Sequence, residues 1–186
     1  MCFLNKSRCV CAFIPKLTLK TRLCLVVHAK ELKRTTNTGR LAVTALTNSE
    51  MRIRGVEGKS LDLSDLLVPE YRTVLFYPSE DALELNAEFV AADPRPIQLI
   101  VPDGNWRQAS KVHYRHHELA GVPRVMIKDA NTSAYHMRAE TTAEGMATLQ
   151  AIAAALGVIE GDTVKESMMK LYRAKLEATL QGRGVL

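Results

Sequence analysis

The 186 residues carry a formal net charge of +5 and a hydrophobic fraction of 47%, enough apolar material for one sizeable core. Every long apolar run contains Lys, Arg, Glu or Asp, so no stretch reaches the roughly 18 apolar residues that a membrane-spanning helix needs. Near the N-terminus the apolar runs are broken by Pro15, Lys16 and Lys20, which argues against a secretory signal and makes a cytoplasmic location the expectation.

Taken in order, the chain begins with a cysteine-bearing extension over 1–20, followed by one domain over 21–186. Three of the four cysteines lie in the first eleven residues, and in a cytosolic chain such crowding points to a metal before a disulfide. Cys24 falls inside the apolar run 23–27 and reads as a small buried hydrophobe. That leaves Cys2, Cys9 and Cys11, one thiol short of a closed structural zinc site.

The run 22–28 predicts a first strand ending in His28-Ala29-Lys30-Glu31. Over 31–46 a helix is expected in the second half, broken or capped around Asn37, Thr38 and Gly39. A short strand at 51–54 and a helical turn at 61–67 come next, then a buried strand over 72–77. Pro78 stops that strand, and Ser79 is placed to cap a helix after it.

The pattern repeats at Ile97, Leu99, Ile100 and Val101, a buried strand that stops on the turn Asp103-Gly104 before a helix from Trp106. A last strand is expected at 124–127. Buried strands alternating with helices give an α/β fold, a mostly parallel sheet covered by helices on both faces. In such a sheet the crevice lies outside the carboxyl ends of the strands, where Asp103 would project. Thr141-Thr142-Ala143-Glu144 resembles a capping box for a helix that runs to Leu156 and stops at Gly157. The final helix, 162–180, turns Val164, Met168, Leu171 and Leu176 inward.

Positive charge is clustered. Lys30, Lys33, Arg34 and Arg40 fall within eleven positions, and Arg107, Lys111 and Arg115 recur every four residues, on one helical face. Such a face is either solvated or turned toward phosphates. His113, His116 and His117 have helical spacing that would let two of them bind a metal, but no carboxylate completes a known zinc pattern, which favours a basic RNA-facing or solvated helix. There is no Walker loop, G-x-G-x-x-G or G-x-S-x-G, so the usual nucleotide and hydrolase readings lapse.

Five motifs then occur in a telling order: His28-Ala29-Lys30-Glu31; Asn37-Thr38-Gly39-Arg40-Leu41-Ala42; Tyr77-Pro78-Ser79; Asp103-Gly104-Asn105-Trp106 with Arg107-Gln108-Ala109; and Arg138-Ala139-Glu140-Thr141-Thr142-Ala143-Glu144. Together they resemble the DTW-domain family of tRNA-uridine aminocarboxypropyltransferases over nearly the whole chain. The naming motif of that family is Asp-x-Thr-Trp, so Asn105 departs from it; Ala29 stands where the family usually has proline, and Thr141 where serine is common.

The resemblance implies a fold similar to the knotted SPOUT methyltransferases, with a C-terminal knot, and S-adenosylmethionine as donor of a 3-amino-3-carboxypropyl group to N3 of a tRNA uridine. N3 of uridine must lose a proton in that reaction, which makes Asp103 the candidate catalytic group, as base or as orienter of the uracil, the structural alternative being a cap for the helix beginning near Asn105. Tyr77, Pro78, Ser79, Gly104, Asn105, Trp106, Arg138, Glu140, Thr141 and Thr142 would line the donor pocket, with Arg138 facing the donor carboxylate. Lys30, Lys33, Arg34, Asn37, Arg40, Arg107, Lys111 and Arg115 would meet tRNA, and Cys2, Cys9 and Cys11 would be the remainder of a zinc cluster whose first family cysteine is absent. The rival readings are a SPOUT-like RNA methyltransferase and a noncatalytic RNA-binding module.

Overall fold

The computed structural model describes residues 2–128 and 146–185. Its centre is a six-stranded sheet in the order β2-β1-β5-β3-β6-β4, with every pairing parallel. The strands are β1 (Arg22–His28), β2 (Ser49–Arg54), β3 (Arg72–Phe76), β4 (Leu83–Glu84), β5 (Ile97–Asp103) and β6 (Arg124–Met126); the helices are α1 (Gly39–Ala45), α2 (Ala87–Ala91), α3 (Trp106–Arg115), α4 (Thr148–Glu160) and α5 (Asp162–Gly182).

Alternation along β1 shows why both faces are covered. Leu23, Leu25 and Val27 enter one core with Leu41 of α1, Leu149, Ile152 and Leu156 of α4, and Leu171 of α5. Cys24 and Val26 enter the opposite core with Leu75, Ile100 and Val112 of α3. Strands buried on both faces read as continuous apolar runs, which is the pattern seen in the sequence. The extension shares the first core through Cys2 and Val10, and it is tied to the domain by the parallel bridge Leu17–Leu46. A knot would have to be closed through the link between β6 and α4, which contains 129–145, outside the described residues.

Two local expectations need correction. Ser79 caps no helix: its Oγ donates to Asp81 Oδ1 at 2.8 Å, and the chain enters β4, because the open edge of β6 takes Leu83 and Glu84 as a further parallel strand. Asn86 caps α2 instead, its Oδ1 accepting from Phe89 N at 2.8 Å. Helix α4 begins at Thr148 and does not stop at Gly157. There glycine serves close packing, since a Cβ would meet Lys165 Cδ of α5 at 2.8 Å; the break falls at Gly161, whose φ of +100° suits a residue without a side chain. The Thr141–Glu144 capping box lies outside the described residues. The helix expected in the second half of 31–46 is present as Gly39–Ala45, with Thr38 at its N-cap position.

Candidate active site

The connections after β1 and β5 leave the sheet in opposite directions. From β1 the chain passes through α1, on one face, to β2; from β5 it passes through α3, on the other face, to β6. Since β1 and β5 are neighbours, their carboxyl ends diverge and open a crevice of the kind where α/β proteins bind ligands. Asp103 ends β5 opposite Val27 of β1, at that point.

Asp103 is buried, with 6% of its surface exposed. Asn37 Nδ2 donates to its Oδ2 at 2.5 Å, and Thr148 Oγ1 donates to its Oδ1 at 2.5 Å. Thr38 fastens the same corner, its Oγ1 accepting from Leu149 N at 3.1 Å and thereby satisfying an otherwise orphaned amide of the first turn of α4. The loop after β1, the end of β5 and the start of α4 are thus joined through one carboxylate. Gly39 makes this approach feasible, because a Cβ there would lie 3.0 Å from Leu25 Cδ2 and 3.1 Å from Asp103 Oδ2.

Asp103 is not the cap of α3. Asn105 fills that role, its Oδ1 accepting from Gln108 N at 2.9 Å while Asn105 N donates to Gln108 Oε1 at 2.9 Å. This reciprocal capping box accounts locally for asparagine where the family has threonine, since both are good N-cap residues. Gly104 is needed in the same turn: a Cβ would strike Gln108 Oε1 at 2.8 Å. Trp106 opens α3.

The other corner residues distribute as follows. Tyr77 is half-buried and hydrogen-bonded to Ser110 of α3; burial raises its phenol above the ordinary value, as does Tyr114, against the effect of that bond. Pro78 is exposed, and Ser79 half-buried. Arg138, Glu140, Thr141 and Thr142 lie outside the described residues.

Among the basic residues, Lys30, Lys33, Arg34, Arg107 and Arg115 are exposed and Lys111 is half-buried. Asn37 and Arg40 are inside, beside Asp103, and not on this basic surface. Arg40 donates to Leu32 O, stacks its guanidinium 3.9 Å from the centre of the Phe3 ring, and donates its backbone N–H to Asn37 Oδ1 at 3.3 Å. Burial lowers its pKa, against the attraction of Asp103. Its buried Nε–H has no acceptor among the described residues.

Cys2, Cys9 and Cys11 converge, with their sulfurs within 4.8 Å of one another and Cys2 Sγ 3.7 Å from Cys9 Sγ. The edge of a tetrahedral zinc–thiolate site is about 3.8 Å, so the donor set fits three corners of such a site. Burial opposes ionisation of Cys2, but the backbone amides of Leu4 and Val10, with the Cys11 and Cys9 thiols, outweigh it and lower the Cys2 pKa to about 7. Cys11 is pushed up, the favourable Cys2 amide being outweighed by Cys9, burial and the Cys2 charge. Cys24, by contrast, is pushed up to about 12 by burial, as an inert core thiol should be.

The three histidines of the α3 region do not converge. His113 meets the Arg124 guanidinium, His116 Nδ1 lies 2.8 Å from Glu118 Oε1, and His117 is exposed. Sequence reasoning missed Thr148, whose role depends on a contact 45 residues away, and Lys175. Lys175 is fully buried, and its Nζ donates to Cys2 O at 2.9 Å. Its one signal in the sequence is its place four residues after Leu171 on the apolar stripe of α5.

The model of the family described as the DTW domain matches residues 1–180. The chain is 26% identical over 188 residues to "tRNA-uridine aminocarboxypropyltransferase 2" of Macaca fascicularis, covering 97% of this chain and 62% of that relative. The protein of the same name from Mus musculus is also 26% identical over 188 residues, with the same coverage. The chain therefore spans about 62% of the length of these curated relatives. No solved structure matches it. The family match over nearly the whole chain agrees with the buried aspartate at the head of α3, and the chain belongs to the DTW-domain family.

Proposed function

We propose that this protein transfers the 3-amino-3-carboxypropyl group of S-adenosylmethionine to N3 of a uridine in tRNA. The observation that carries the reading is the Asp103 carboxylate, buried at the crevice between β1 and β5 and held by Asn37 and Thr148. The names of the relatives support the reaction class. The donor is supported by the corner itself: the loops after β3 and β5 stand at one sheet edge, and the Arg40 Nε–H beside Asp103, without an acceptor among the described residues, is of the kind that an anionic ligand group satisfies.

When bound, the donor supplies a sulfonium whose three carbon substituents are all electrophilic, so geometry must choose the carbon that reacts. Uridine N3 carries a proton and is a poor nucleophile until it leaves. Asp103 would accept the N3–H hydrogen bond and take that proton, leaving N3 a nucleophile toward the carbon that the donor presents, with the sulfonium sulfur able to leave as a neutral thioether. Asn37 and Thr148 hold the carboxylate in one orientation through this step, a task for donors that are themselves buried or packed. The Watson–Crick edge is hidden in stacked RNA, so the uridine comes from a loop or is flipped out. Lys30, Lys33 and Arg34 follow β1, and Arg107, Lys111 and Arg115 follow β5, so two basic groups flank the crevice where phosphates would lie. Cys2, Cys9 and Cys11 would hold a zinc ion that braces the extension and takes no part in transfer.

Mass spectrometry of unmodified tRNA after incubation with protein and donor tests the reading. An aminocarboxypropyl addition, lost with Asp103→Ala, is expected. A methyl addition would instead identify a methyltransferase, and tRNA binding without any addition a noncatalytic module.

A further inference from the structure

The outward face of α3 carries one large aromatic group among its cations. At 100° per residue, Arg107, Lys111 and Tyr114 fall within roughly 60° of arc, with Arg115 beside them, while Ala109, Val112 and His116 turn inward. Tyr114 is 70% exposed, more than any other large apolar side chain among the described residues. A lone exposed tyrosine is ordinary. This one differs in its setting: α3 contains no acidic residue, and Tyr114 shares its outward face with Arg107 and Lys111.

The ring is also backed. His113 lies with its ring centre 4.7 Å from that of Tyr114, tilted by 53°. His113 in turn meets Arg124 of β6, whose Nε donates to Asp81 Oδ1 at 2.9 Å, so the backing is anchored to the sheet. One turn earlier, Ser110 is hydrogen-bonded to Tyr77 in the loop after β3. Tyr114 is therefore tied to the same corner that borders Asp103. It lies eight residues beyond Trp106, roughly 12 Å along the helix axis, within the span of a few nucleotides.

We propose that Tyr114 is a stacking platform for an unpaired RNA nucleobase, one that flanks the nucleotide presented to Asp103, with Lys111 and Arg107, one and two turns earlier on the same face, holding the phosphates that lead to it. The inference rests on the tRNA reading and adds a base contact to it. Aromatic side chains with cations at their borders are how proteins hold single-stranded nucleic acid without reading a particular base, because every base offers a flat face. The platform selects a loop against a duplex, in which bases are already stacked. A tyrosine with two side-chain torsions loses little freedom on forming the contact.

The test is binding of an unmodified tRNA transcript, followed by fluorescence anisotropy over a range of salt, for the unaltered protein, Tyr114→Ala, Tyr114→Phe and Lys111→Ala. Circular dichroism first establishes that each variant is folded. Tyr114→Ala is expected to bind about tenfold more weakly with its salt slope unchanged, and Tyr114→Phe to bind as the unaltered protein does. Lys111→Ala is expected to flatten the salt slope by about one unit. If Tyr114→Ala binds at full strength while Lys111→Ala still flattens the slope, the stacking proposal is overturned and the tRNA reading stands. A loss in Tyr114→Phe equal to that in Tyr114→Ala also overturns stacking. Failure of the unaltered protein to bind tRNA overturns both.

Discussion

Asn37 and Asp103, 66 residues apart in sequence, meet through one hydrogen bond of 2.5 Å from Asn37 Nδ2 to Asp103 Oδ2. That bond joins the loop after β1 to the end of β5 at the point where the two connections diverge. Replacing Asn37 with alanine deprives a buried carboxylate of a donor and frees it to turn. Asn37→Ala should lower stability by about 1–3 kcal/mol, measured by urea unfolding. Its turnover should fall at least tenfold at saturating donor, because Asp103 is no longer fixed. Thr148→Val should act in the same direction through the other oxygen. Full activity in both variants would remove the carboxylate clamp from the account.

Close approach at Gly39 provides an independent probe of the same corner. A methyl group there meets Leu25 at 3.0 Å and Asp103 Oδ2 at 3.1 Å, and Leu25 is fixed in the core. Gly39→Ala is expected to cost about 1–3 kcal/mol of stability and to displace the carboxylate. Equal unfolding midpoints for Gly39→Ala and the unaltered protein would contradict this packing.

The departure at Asn105 predicts a tolerant site with one chemical requirement. Asn105→Thr should leave stability within about 0.5 kcal/mol, since threonine also caps. Asn105→Ala should lose about 1 kcal/mol together with the capping box to Gln108. Thermal melts of the three proteins distinguish these outcomes.

How much of this was legible in the sequence differs by element. β1 and β5 stand out because they are buried on both faces, and α5 because its apolar stripe repeats at helical spacing. Asp103 was legible from its place after an apolar run. Its partners were not, since nothing in the local pattern at Asn37 or Thr148 records a contact made only when three elements meet. Ser79 and Gly157 were misread for one shared reason: local signals for a cap and a stop were overridden by an open strand edge and by a neighbouring helix. Lys175 looks like a solvated charge until the fold delivers the Cys2 carbonyl to it.

The thiol cluster predicts metal uptake that depends on every sulfur. One zinc per chain is expected by elemental analysis, and Cys9→Ser should lose it because its sulfur is 3.7 Å from that of Cys2. Retention of zinc by Cys9→Ser would place the metal elsewhere.

Acid stability should report Glu118. Burial opposes its ionisation, but His116, its own amide and the Leu63 amide outweigh that and hold its pKa below the ordinary 4.5. A carboxyl depressed in the folded state contributes stability above its unfolded value and loses it as pH falls through the folded value. Stability should therefore decline as pH drops below about 4.5, and Glu118→Gln should flatten that part of the profile. Identical acid profiles for the two proteins would show that the pair contributes nothing.

The most direct test of the central claim uses S-adenosylmethionine labelled in one batch on the methyl group and in another on the carboxypropyl chain, each incubated with protein and unmodified tRNA. Label from the carboxypropyl chain should enter the tRNA, label from the methyl group should not, and Asp103→Ala should abolish transfer. Entry of the methyl label, or undiminished transfer by Asp103→Ala, would contradict the account.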